Sequence, residues 1–109
     1  MNLLVDIDVE GMDLKDVQEF YDRLCKKYNV LSVKAYIVHN DIESLKLAGR
    51  ILDYEGLYIE WPFRKIFLKA DSFTVRTVYH EILHHLNPSL KHGPKFERIV
   101  DKLMMVEYL

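Results

Sequence analysis

The chain has 109 residues, half of them apolar and 29% charged, which indicates one ordinary folded domain spanning residues 1–109 and excludes a disordered tail. The formal net charge of −2 disfavours direct binding to DNA or RNA through a broad cationic surface and leaves binding through a partner open. The single cysteine, Cys25, excludes an internal disulfide and is typical of a protein in a reducing cytoplasm.

The first residues of the chain do not resemble a secretory signal. They carry acids where a secretory signal carries Lys or Arg, and their apolar stretch is too short for such a signal. No run of residues approaches the roughly 18 apolar residues of a membrane span, so we expect a soluble cytoplasmic protein with no membrane partner. Residues 3–9 alternate apolar and acidic side chains, which predicts a short strand.

One helix and four strands are predicted between Asp13 and residue 68. Asp13 is the expected cap of a helix that runs to about Tyr28. Residues 42–48 are ambiguous between helix and strand. Strands are predicted at residues 33–38, 50–54, 57–61 and 66–68.

Two helices are predicted to complete the chain. Asp71 or Ser72 caps a helix from residue 73 to about residue 87, which Pro88 stops. Gly93-Pro94 begins the last helix, because proline suits the first helical turn. These elements predict an α+β fold in which a small mixed β-sheet packs on helices. The apolar stripe of the last helix comprises Phe96, Ile99, Val100, Leu103 and Met104.

The segment His80-Glu81-Ile82-Leu83-His84 has the residue types and spacing of a metal-binding motif. Its two histidines are one helical turn apart, so both imidazoles lie on one face within reach of one ion. Glu81 is offset by about 100°, where its carboxylate reaches a water beside the metal. Metal-activated hydrolysis needs this spacing of two nitrogen ligands and a base. Thr77 shares the polar face, which should line an opening. The opposite face should be buried and comprises Val75, Val78, Tyr79, Ile82, Leu83 and Leu86.

A catalytic metal site needs a third protein ligand, and three nearby residues are candidates. His85 points about 100° away from His84 around the helix, which favours a supporting or interfacial role. His92 follows the turn at Pro88, and Gly93 gives the backbone freedom to return towards the helix. Glu97, one turn inside the last helix, is the alternative. A bare match to this pattern also fits a solvated helix face with two histidines, but the helical context and the third histidine favour a metal site.

The two segments His80–His84 and His92-Gly93-Pro94-Lys95-Phe96 resemble small zincin peptidases. The SprT-like metallopeptidases and the minigluzincins are the two most similar groups, and the short chain without an extra domain is more like a minigluzincin. The resemblance covers about residues 77–99. It implies a minimal zincin fold, with an active-site helix and a C-terminal helix, that holds Zn²⁺.

Carried over by position, the resemblance implies that His80, His84 and His92 are the zinc ligands and that Glu81 is the general base. It also implies a zinc metalloendopeptidase whose peptide or protein substrate lies extended along an edge strand, by ordinary strand addition. Residues 57–61 and 66–68 are the two candidate edges. The candidates for stabilising the oxyanion are Tyr54, Tyr58, His85 and Tyr108.

Two alternative functions stay open at this point. A non-catalytic zinc-binding module would have a saturated site, with His85 or Glu97 as a fourth ligand. A SprT-like protease would act on proteins attached to DNA, although the charge balance disfavours direct DNA binding.

The C-terminal segment, residues 104–109, is more apolar than a free end should be. Core packing or a homodimer contact is one interpretation. The other is that the segment covers the cleft, in its own molecule or in a partner, and keeps the peptidase latent, a property associated with the minigluzincins.

Overall fold

The computed structural model describes residues 12–108, which form an α+β fold of four helices and a three-stranded mixed sheet. The strand predicted at residues 3–9 lies outside the described residues. None of the helices between residues 12 and 108 combines the length and the apolar character needed to cross a membrane. The elements are α1 (Leu14–Lys27), β1 (Lys34–Val38), α2 (Asp41–Ala48), β2 (Gly56–Ile59), β3 (Lys65–Lys69), α3 (Val75–Leu86) and α4 (Pro94–Val106).

The sheet has the strand order β1-β3-β2, with β1 parallel to β3 and β2 antiparallel to it. The expectation that residues 66–68 form an edge strand is therefore wrong, because β3 lies in the centre. The three residues Ile66, Phe67 and Leu68 are all fully buried, since elements cover both faces of this strand. Of the two candidate edges, only β2 has a side free of strand pairing among residues 12–108.

Side chains of the three strands alternate between two apolar clusters. On one face, Ala35, Ile66 and Leu68 join the main core with α1, α3 and α4. On the other face, Phe67 packs with Val38 and Leu52 in a smaller cluster. The site described below lies on the main-core side, where α3 contacts β2 and β3.

The strand predicted at residues 50–54 is absent from the structure, and this prediction is wrong. The Ser44 hydroxyl donates to the Arg50 carbonyl at 2.6 Å, and the Leu52 amide donates to the same hydroxyl at 3.2 Å. These bonds hold the segment against α2, the helix that forms in the ambiguous region 42–48. A side chain of α2 thus satisfies backbone groups that a strand would have satisfied with a neighbouring strand.

The helix boundaries agree with the sequence except at one cap. Asp13 caps α1 as predicted, and α4 begins at Pro94 as predicted. The cap of α3, however, is Thr74 and neither Asp71 nor Ser72. The Thr74 hydroxyl accepts from the Thr77 amide at 3.3 Å, and Thr77 Oγ1 accepts from the Thr74 amide at 3.0 Å. This reciprocal pair satisfies two amides that α3 itself leaves unpaired.

Candidate metal centre

Helix α3 separates the core from a cleft of about 930 Å³. The predicted polar face, which includes His80, Glu81 and His84, lines this cleft together with His92. The predicted apolar face is buried or partly buried, as expected. Its members are Val75, Val78, Tyr79, Ile82, Leu83 and Leu86. The helix therefore presents His80, Glu81 and His84 to one open space.

Three imidazoles converge at this cleft. The Nε2 atom of His92 lies 3.2 Å from Nε2 of His80 and 2.8 Å from Nε2 of His84. One ligand atom from each of the three residues lies within 4.8 Å of the others. Nitrogen ligands about 2.0–2.1 Å from a tetrahedral ion lie roughly 3.3 Å from one another, so this donor set fits a metal ion. The three histidines are close enough to bind one.

The ring of Phe96 packs against all three imidazoles of this cluster. It is fully buried, and its centroid lies 4.7 Å from that of His80, 4.8 Å from that of His84 and 5.1 Å from that of His92. Phe96 belongs to α4, whose first residue is Pro94. The start of α4 therefore fixes His92 beside α3 and closes the cluster from a second element.

His80 and His84 have the protonation state that suits a metal ligand. Burial lowers the pKa of His80, with His92 and Arg76 adding to the effect and Glu97 opposing it. Burial, reinforced by the neighbouring imidazoles, lowers the pKa of His84 to about 4. Both rings are therefore uncharged near neutral pH, which is the form that binds a metal.

Glu81 is only 6% exposed although it lies on the cleft wall. Burial raises the pKa of its carboxyl to about 7. The residue packs against Gly56 at the start of β2, which belongs to the same wall. Next to it, the Thr77 hydroxyl donates to Glu55 at 3.1 Å and links α3 to the chain just before β2. The sequence did not predict this close approach of Gly56 and Glu81.

His85 stands apart from the cluster. It is 5% exposed, and its Nε2 atom lies 2.5 Å from the carbonyl oxygen of Leu31. Because a carbonyl only accepts, Nε2 carries the proton and Nδ1 accepts from the Tyr58 hydroxyl, at 2.9 Å. Both ring nitrogens of His85 are thus committed, and the Tyr58 hydroxyl, on the cleft wall, has its proton committed as well.

Glu97 faces the outer nitrogen of His80. Its Oε2 atom lies 3.7 Å from Nδ1 of His80, whereas the other nitrogen of that ring points into the cluster. Its Oε1 atom accepts from Arg76 at 2.7 Å. The sequence pattern did not point to Arg76 as part of the site. Its position four residues before His80, one turn earlier on the same helix face, was the available signal.

Arg76 joins α3 to two acids of α4. Besides Glu97, it donates to Asp101 Oδ1 at 2.6 Å. Burial alone would lower the pKa of Arg76, but the hydrogen bonds to both carboxylates raise it above its ordinary value. The guanidinium therefore stays charged beside the His80 ring.

The end of the chain packs away from the cleft. The buried Glu107 carboxylate accepts from Lys27 at 2.5 Å and from the Tyr28 hydroxyl at 2.8 Å. The Tyr79 hydroxyl, on the core face of α3, donates to the Glu107 carbonyl at 2.6 Å. None of residues 104–108 lines the cleft. These residues therefore do not cover it in their own molecule, and Tyr108 is remote from it.

Comparison with protein-family models, with curated proteins and with solved structures finds no match for this chain. The chemistry of the site must therefore be inferred from its own residues and their geometry.

Proposed function

We propose that this chain is a zinc-dependent endopeptidase with a minimal zincin fold. In this proposal His80, His84 and His92 hold Zn²⁺, and Glu81 is the general base. The observation that carries the proposal is the convergence of three imidazole nitrogens beside a buried carboxylate in one cleft. The side of β2 that has no strand partner among residues 12–108 lies on the wall of that cleft and gives a peptide a place to bind.

The donor set supports zinc and an open coordination position. Three neutral imidazoles are a typical catalytic zinc site, whereas structural zinc sites usually have four protein ligands. Among the described residues the cluster comprises three histidines only, and neither His85 nor Glu97 joins it. A bound zinc ion supplies Lewis acidity, which lowers the pKa of water and polarises a carbonyl oxygen.

Glu81 provides the proton transfer. Its carboxylate takes a proton from the water that attacks the peptide carbonyl, and the resulting acid gives that proton to the leaving amine nitrogen. A general base works best when its pKa is near the working pH. Burial of Glu81, which raises its pKa to about 7, supports this role.

The substrate is a peptide that pairs with the side of β2 left unpaired by the strands of residues 12–108. The cleft wall includes Gly56, Leu57 and Tyr58, so a peptide hydrogen-bonded to this strand passes alongside the histidines. Tyr54 is the strongest of the four candidates for stabilising the oxyanion. It lines the cleft and is 80% exposed, while the Tyr58 proton is committed to His85.

The two alternatives have less support. A closed structural zinc site needs a fourth ligand, and His85 is committed to Tyr58 and Leu31. A SprT-like protease acting on DNA-linked proteins would use the same three ligands and base, but the net charge of −2 does not favour direct DNA binding.

The test is hydrolysis of an unfolded, fluorescently labelled protein by the zinc-loaded chain, compared with a Glu81→Gln variant. We expect cleavage by the parent and loss of at least about 100-fold in the variant, in keeping with general-base catalysis. Zinc content, measured on the same samples, should be equal. A variant that cleaves as fast as the parent, or a fully zinc-loaded parent that cleaves nothing, would contradict the proposal.

A further inference from the structure

The side chain of Glu97 is held in place from α3. Its Oε1 atom accepts from Arg76 Nη2 at 2.7 Å, and the same guanidinium nitrogen donates to the Glu97 carbonyl oxygen at 3.3 Å. The second guanidinium nitrogen donates to Asp101. Glu97 is still 46% exposed, so the fork of Arg76 restricts a side chain that solvent would otherwise leave free to rotate.

The restricted carboxylate meets His80 at the nitrogen that faces away from the cluster. A neutral imidazole carries one proton, and a carboxylate near Nδ1 favours the tautomer that has the proton there. The Nε2 atom of His80 lies 3.2 Å from Nε2 of His92. Its lone pair is then free to bind a metal. Partners of this kind fix both the tautomer and the ring orientation of metal-binding histidines.

We propose that Glu97, held by Arg76, is a positioning residue that orients the His80 imidazole for metal binding. The inference rests on the zinc site of the proposed function, though not on peptide hydrolysis. The present Nδ1–Oε2 distance of 3.7 Å is longer than a hydrogen bond. The contact should therefore shorten to hydrogen-bond length when the metal is bound.

The test is the dissociation constant of Zn²⁺, measured by competition with a chromophoric chelator in the absence of substrate. Glu97→Ala should weaken zinc binding about 10- to 100-fold, the usual effect of losing such a partner. Asp101→Ala is the matched control. It removes an acid from the same helix and the same guanidinium, but Asp101 forms no ion pair with His80. Its zinc affinity should stay within about threefold of the parent.

Two further variants separate positioning from a general effect of charge. Glu97→Gln loses the charge but keeps an acceptor oxygen, so its zinc affinity should lie nearer to the parent than that of Glu97→Ala. Arg76→Lys keeps the charge but loses the fork. It should weaken zinc binding in the parent and have no further effect in the Glu97→Ala background, because Arg76 acts through Glu97.

Zinc affinity of Glu97→Ala equal to that of the parent, or equal losses in Glu97→Ala and Asp101→Ala, would overturn the inference. Equal losses in Glu97→Ala and Glu97→Gln would also overturn it, since charge alone would then explain the result. A parent that binds zinc through the three histidines but cleaves no peptide contradicts only the proposed function.

Discussion

A Cβ atom on Gly56 would lie 2.8 Å from Cγ and 2.9 Å from Oε2 of Glu81, so the backbone of the edge strand directly contacts the buried carboxylate. Gly56 does not have a positive φ, and alanine could therefore adopt its backbone conformation. Glycine is required here because the neighbouring side chains leave no room for a Cβ atom. The same added atom would lie 2.9 Å from Cγ2 of Thr77, whose hydroxyl is hydrogen-bonded to Glu55, so we expect the longer Glu81 side chain to move.

Gly56→Ala should displace the Glu81 carboxylate and leave the three histidines in place. We expect kcat/KM for peptide hydrolysis to fall about 100-fold, since a displacement of about 1 Å in a catalytic group has effects of that size. Zinc affinity is the internal control, and it should stay within about threefold of that of the parent. Unchanged hydrolysis in a variant that binds zinc normally would show that Glu81 tolerates the displacement, or that it is not the base.

His92→Ala should remove the imidazole that the turn before α4 contributes to the cluster. We expect the dissociation constant of Zn²⁺ to rise by more than about 100-fold, which exceeds the usual effect of losing a partner that only supports a ligand. His39→Ala is the control, because His39 is exposed and outside the cluster. Equal zinc affinity in the two variants would exclude His92 as a ligand.

Glu107→Gln should destabilise the protein at neutral pH by about 2 kcal/mol, the usual contribution of hydrogen bonds to a buried charged group. The hydrogen bond from Lys27 is the main reason that the pKa of Glu107 lies below its ordinary value, and Tyr28 adds to it. The folded state thus favours the carboxylate. Its stabilising contribution is complete above the unfolded pKa, near 4.3, and is lost as the pH falls through the folded value.

The measurement is urea unfolding of the parent and the Glu107→Gln variant between pH 7 and pH 3. The difference in the free energy of unfolding should be constant down to about pH 5 and then shrink towards zero, because both proteins carry an uncharged side chain at position 107 in acid. A difference that does not change with pH would mean that the carboxylate contributes by packing alone.

Removal of residues 107–109 should lower stability without raising the proposed peptidase activity. Glu107 and Tyr108 accept hydrogen bonds from Lys27 and Arg23 of α1, respectively, and neither residue lines the cleft. We expect a lower Tm and a peptidase rate no higher than that of the full chain below the unfolding transition. A rate increase of tenfold or more would show that the end of the chain inhibits the enzyme, for example within a partner molecule.

Local signals predicted the elements that carry the ligands. The spacing of His80 and His84 places them on one helix face, and Pro94 marks the first turn of α4. Both depend on residues close together in the chain, where the backbone geometry alone fixes the outcome. The cap of α3 could not be chosen in the same way, because Asp71, Ser72 and Thr74 are all good capping residues.

The position of each strand in the sheet depends on contacts that are distant in sequence. β3 is central because it pairs with β1, about 30 residues earlier, as well as with β2. The continuous apolar run Ile66-Phe67-Leu68 was a signal of burial on both faces, although three residues are a short pattern. Apolar residues at 50–54 suggested a strand, and only the hydrogen bonds of Ser44 explain why that segment packs against α2 instead.

The difference between contacts that are local in sequence and contacts that are distant in sequence also applies to the site. The convergence of the three histidines follows from spacing along one helix and one short turn. The contact of Arg76 with Glu97, and that of Gly56 with Glu81, join elements whose relative placement the sequence pattern does not specify. Such contacts arise from packing, and they determine how the ligands and the base are oriented.

His92 lies in the turn before α4, outside the helix that bears His80 and His84, so an ion bound by all three histidines would act as a cross-link. It would join α3 to the start of α4 and close the turn between His84 and His92, and it would stabilise the folded state because the three nitrogens converge in that state. Folding would then be linked to metal supply, with a gain in stability that grows logarithmically above the dissociation constant and reaches about 2.7 kcal/mol at 100 times that concentration. In a cell short of the metal, the chain would unfold and be degraded more often, so its abundance would follow the metal it depends on.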